Sequence, residues 1–106
     1  MATVTVKKVV ENKSLDPGQD AHWWWNNANY GKAYFLEVVP LEVGSYQTGY
    51  NHTTELEITR QWRKFITKET QGSVGVTVSS ELEIHYVVKN VGAKTAKYNV
   101  LLVEIG

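Results

Sequence analysis

The chain has 106 residues, with 11 basic and 11 acidic side chains, three histidines and no cysteine. That length suits one domain over residues 1–106, with enough core to stand without staples. The cancelled charge offers no long-range field to nucleic acid or acidic membranes, and the missing thiols exclude a disulfide framework, a thiolate zinc site and a cysteine nucleophile.

The opening segment, MATVTVKKVVENK, alternates through Val4 and Val6 over residues 2 to 10, a period of two that predicts a β-strand. It has no apolar stretch of signal-peptide length, and no later run approaches the ~18 apolar residues of a membrane span. As written the chain reads as cytosolic, unless it is an excised domain or leaves the cell by another route. ENKSLDPGQD follows, with a turn at Asp16, Pro17 and Gly18.

AHWWWNNANYG, residues 21 to 31, then sets three of the four tryptophans side by side. A strand sends neighbouring side chains to opposite faces, so Trp23 and Trp25 point one way and His22 and Trp24 the other. Asn26 to Lys32 is turn-rich. AYFLEVVPLEV places Tyr34, Leu36 and Val38 on one face against Phe35, Glu37 and Val39, until Pro40 ends or bends the strand. GSYQTGYNHT reads as a loop.

From Thr54, Leu56 and Ile58 alternate with Glu55, Glu57 and Thr59, and the strand continues toward Trp62. A short helix is the rival over ITRQWRKFITKE, residues 58 to 69, where Ile58, Trp62, Phe65, Ile66 and Glu69 fall at helical spacing. ETQGS is a turn; Val74, Val76 and Val78 then share a face opposite Gly75, Thr77 and Ser79. In ELEIHYVVKN, Leu82, Ile84, Tyr86 and Val88 face inward and Glu81, Glu83 and His85 outward, His85 as an exposed strand residue. NVGAKT reads as a hairpin loop. The last strand, AKYNVLLVEI, is apolar on both faces, which makes it central in its sheet or bulged. YVVKNVGAKTAKYNVLL, 17 residues, resembles the closing hairpin of bacterial immunoglobulin-like domains, and the resemblance implies no function. The fold expected is all-β: a two-sheet antiparallel sandwich, immunoglobulin-like or jelly-roll-like, of about seven to eight strands.

An enclosed tryptophan is worth roughly 4 to 6 kcal/mol, but a two-layer sandwich encloses only one face of a strand, so at least one indole is left over. Either another part of the chain covers it or it serves a ligand. Asn26, Asn27 and Tyr30 beside it, with Tyr46, Tyr50 and Asn51 in the long loop, both donate and accept hydrogen bonds without charge. That mixture suits a sugar, whose C–H face lies on an indole while its hydroxyls need paired partners. The reading is a non-catalytic glycan-binding module with a site at His22, Trp23, Trp24, Trp25, Asn26, Asn27, Tyr30, Tyr46, Tyr50 and Asn51. The alternative is a homo-oligomer or protein-interaction domain using the same patch. Membrane activity ranks below both, and nucleic acid is not expected as a partner.

No cofactor or metal is expected. Histidines at 22, 52 and 85 lack the paired spacing of zinc sites, and the two aspartates of DPGQD fall short of calcium's oxygen count. Glu55, Glu57, Glu81 and Glu83 alternate as solubilising acids do, and the chain has no G-x-S-x-G turn, so an enzyme is not expected.

Overall fold

The computed structural model describes residues 2–26, 28–43 and 53–106. Its strands are β1 (Val4–Leu15), β2 (Asp20–Trp25), β3 (Ala33–Val43), β4 (Leu56–Gly72), β5 (Gly75–Asn90) and β6 (Ala96–Ile105). They form two three-stranded antiparallel sheets, in the order β1-β6-β3 (sheet I) and β2-β5-β4 (sheet II), packed as a sandwich-like pair.

The described strands number six, below the seven to eight expected, because residues 75–90 run as one strand rather than two and no helix interrupts residues 56–72. The turn lies not at ETQGS as a whole but at Ser73 and Val74, between the paired Gly72 and Gly75. Gly75 has φ +130°, a conformation that side-chain-bearing residues avoid. NVGAKT is not a hairpin loop either, since β5 and β6 belong to different sheets and the segment carries the chain across the sandwich. β3 passes through Pro40 to Val43 with a register shift after the proline, which is tolerated because β3 is an edge strand. The loop expected at residues 44–53 lies outside the described residues apart from Thr53.

β6, apolar on both faces, is the central strand of sheet I. Its even-numbered residues Ala96, Tyr98, Val100 and Leu102 are buried between the sheets, against Ile84, Tyr86 and Val88 of β5 and Tyr34 of β3. The indole N–H of Trp23 donates to the Tyr98 hydroxyl at 3.1 Å, tying the layers together through the core.

Two bulges set which residues reach that core. In β1 the register shifts between Lys8 and Val10, so Val10 is buried while Val4 and Val6 face outward, opposite Ile105 and Val103. In β4 the register shifts between Ile58 and Arg60. Leu56 and Ile58 lie on the core side, but beyond Thr59 the phase reverses and Trp62, opposite His85, faces outward. The helical spacing of Ile58, Trp62, Phe65 and Ile66 is this break in a period of two.

At one end the sheets are joined through Asn90, which is fully buried. Its Nδ2 donates to the carbonyls of Leu15 and Lys94 at 2.8 and 2.7 Å, and its Oδ1 accepts from the Gly92 N–H at 2.9 Å. Its backbone exchanges hydrogen bonds with Gln19 and Gly18 in the turn after β1.

At the other end β4 and β5 outrun the sandwich. β2 pairs with β5 only as far as Ile84, whereas the β4–β5 ladder continues to Gly72 and Gly75. The seven pairs from Ile66–Glu81 to Gly72–Gly75 make a two-stranded arm, and residues 67–80 are all exposed. The molecule therefore measures 70 × 36 × 19 Å with a radius of gyration of 18.2 Å, against about 13 Å for a compact chain of this length.

Two measurements test this packing. Asn90→Ala strands buried partners of three side-chain hydrogen bonds, and urea unfolding should show a loss of about 2–4 kcal/mol. Burial pushes the Tyr86 hydroxyl well above its ordinary value of 10.0, with Tyr98 nearby adding to the shift. Above about pH 10 the unfolded chain releases a proton that the folded chain keeps, so stability falls as pH rises. Tyr86→Phe should flatten that alkaline decline.

Candidate functional site

The rings of the outer face of sheet II gather by strand alternation alone. β2 turns Ala21, Trp23 and Trp25 toward the core and leaves His22 and Trp24 outside; β5 turns its odd-numbered residues out; the β4 bulge adds Trp62 and Arg60 to the same face. Trp24, His85 and Trp62 thus stand in one cross-strand row, each indole opposite the imidazole between them.

The geometry is that of a stack. His85 lies 6.2 Å from the Trp24 ring and 5.2 Å from the Trp62 ring, with interplanar angles of 20° to both. His22 stacks on Trp62 at 5.2 Å, and the Arg60 guanidinium sits 4.4 Å above the same indole, within the range of a cation–π contact. Trp24 is 57% exposed and closes the row at its open edge. Enclosed by its neighbours, His85 is only 6% exposed, which corrects the expectation of an exposed strand histidine.

His22 Nε2 and His85 Nδ1 are 2.8 Å apart, and His85 Nε2 is 2.9 Å from Glu83 Oε1. The Glu83 carboxylate accepts from the His85 Nε2–H, so in the neutral ring Nδ1 is left to accept from the His22 Nε2–H.

The expected site residues fall into separate groups. His22 and Trp24 share the outer face with Trp62, His85, Arg60 and Glu83, while Trp23 and Trp25 are half-buried on the core side. One ligand face cannot include all three consecutive tryptophans. Lys7 lies 5.3 Å over Trp25, from the inner face of sheet I. Asn26 is exposed just past β2, and Tyr30 is an exposed ring 6.0 Å from Phe65 near the base of the arm. Asn27, Tyr46, Tyr50 and Asn51 lie outside the described residues.

The sequence reading missed Trp62, Arg60 and the meeting of His22 with His85. The signal available was the period break at Thr59, which moves a tryptophan from one face to the other. Among the described residues no group of three or more histidines and acids is placed to hold a metal ion. Of the acids weighed for catalysis, Glu83 holds His85, Glu81 meets Lys68 at 3.4 Å and Glu57 pairs across the ladder with Lys89.

His85→Ala removes the ring between two indoles and leaves Glu83 and His22 without their partner. A loss of about 1–3 kcal/mol and stronger iodide quenching of tryptophan fluorescence are expected; unchanged quenching would mean that the rings are not stacked. Compared with known proteins, the chain matches no protein-family model, no curated protein and no solved structure.

Proposed function

We propose that this protein is a non-catalytic assembly subunit that associates with further copies of itself by burying its β4–β5 arm. The observation that carries the proposal is the line of uncovered apolar side chains along the arm. Val76 (55%) and Val78 (59%) are exposed on the face that continues the core side of sheet II, beside Gln71 and Glu69 of β4, with Phe65 exposed at the arm's base and Val74 fully exposed at its tip. An isolated two-stranded ribbon is marginal in water, and large exposed apolar surface on a soluble domain marks a contact. A second layer against the strip supplies what the ribbon lacks.

Association through the arm predicts concentration-dependent sedimentation. Wild type should exceed monomer mass between about 1 and 100 μM, and Val76→Asp with Val78→Asp should loosen association at least tenfold, or about 1.4 kcal/mol. These side chains stand clear of the core, so circular dichroism should be unchanged. A wild-type monomer at the upper concentration would refute the proposal.

Sugar binding is the second reading, favoured by one observation: Trp24 offers an exposed indole at the edge of the ring row, with Asn26 following in the chain. It ranks below assembly because both ring nitrogens of His85 are taken, by His22 and by Glu83, while Arg60 covers Trp62. A glycan array should show binding by wild type that Trp24→Ala abolishes while its sedimentation stays the same; no binding across a broad panel would end this reading.

A further inference from the structure

A second apolar surface lies on the outer face of sheet I. Across its three strands, Val4 stands in a row with Ile105 and Ala33, and Val6 with Val103 and Phe35. Val4, Val6 and Phe35 are exposed, and Val103 and Ile105 are only half-covered. A sheet that meets water on one face normally alternates apolar and polar residues, and here two successive rows of the second face are apolar before Lys8 and Glu37 flank Leu101 in the next.

The arm strip and this patch cannot meet within one chain. The arm prolongs sheet II past the end of sheet I, and its strip faces toward the layer of sheet I. The patch faces away from sheet II. Both surfaces therefore look in the same direction, displaced by one sheet-to-sheet spacing of about 10 Å.

Such an arrangement is matched by a copy of itself turned over. Resting on the assembly reading above, we propose a two-fold dimer by arm exchange, in which each arm lies as a third layer on the outer face of the partner's sheet I. Turning the partner about an axis in the plane of sheet I sets the two sheets I end to end in one layer. Each arm, one spacing above or below that layer, then overlies the opposite sheet, and both contacts form together as an isologous interface requires.

The positions along the strands agree. The arm leaves the sandwich beyond Ile84, which packs with Tyr34 and Leu102, and the patch occupies that same end of sheet I, at the start of β1, the start of β3 and the close of β6. An arm of seven pairs reaches about 24 Å, whereas the four strand steps from Val4 to Lys8 on the far side of the patch span about 13 Å. Two arms about 10 Å wide, covered along their full length and counted with the surfaces they cover, bury at most roughly 1,000 Å², the lower limit for a specific interface.

The absence of native cysteine makes the test direct. Val78→Cys and Phe35→Cys, each made alone and then mixed under mild oxidation, should yield a disulfide dimer between unlike chains, seen by mass spectrometry; Val76→Cys with Val6→Cys is the second pair. Val78→Cys that links efficiently to itself, with neither mixed pair linking, would place arm against arm and overturn the exchange while leaving assembly intact. A dimer by sedimentation in which neither pair links would also overturn it. A protein that sediments as a monomer would remove the assembly reading itself. If that monomer floats with phosphatidylcholine vesicles and Val76→Asp with Val78→Asp does not, the arm's partner is a lipid surface and not a second copy.

Discussion

The sandwich depends on one buried amide. Asn90 closes β5 where the chain must leave one sheet for the other, and there it satisfies the end of β1, the crossing segment and the turn after β1 together. A buried carbonyl or N–H without a partner is costly, so the crossing can be made tightly only if some side chain offers both donors and an acceptor within reach. With that end fixed, the even-numbered residues of β5 from Leu82 to Val88 face the core and the odd-numbered ones face outward. That alternation distributes the rest of the molecule: Tyr86 and Ile84 inside, His85 and Glu83 in the ring row.

The other end has no such closure. β4 and β5 continue well past the last residue of β2 and the edge of sheet I, so the alternation that makes a core in the body makes an uncovered strip on the arm. The difference between Val88, which is fully buried, and Val78, which is exposed on the same side of the same strand, is only whether a second layer lies opposite. Hydrophobic burial acts on area removed from water, whichever chain removes it. The arm and the outer face of sheet I are thus physically one problem in two places.

Much of this was legible in the chain. Alternation identified the strands, the apolar character of both faces of β6 marked it as central, and the split of Trp23 and Trp25 from Trp24 followed from extended geometry. What could not be read was phase and partnership. A bulge adds one residue without altering composition, so Thr59 silently sent Trp62 outward and lent its strand the spacing of a helix, and the shift before Val10 put Val4 and Val6 outside. The histidines at 22 and 85 looked isolated because sequence distance says nothing of strand order; they meet only because β2 lies beside β5. ETQGS suggested a turn from residue 69 on, where β4 instead stays paired as far as Gly72 before the chain reverses at Ser73 and Val74, since a polar strand in water has the composition of a turn.

The strand edges bear on the form that self-association can take. β1 carries two register shifts and holds Asn12 at φ 55°, β3 has Pro40, and β4 carries Arg60, Arg63, Lys64 and Lys68 along its length. Bulges, proline and cations are the usual guards against a foreign strand joining a ladder. With three of its strand edges guarded in this way and its apolar side chains on sheet faces, the molecule is built to associate by laying one sheet on another and not by adding strands at β1, β3 or β4.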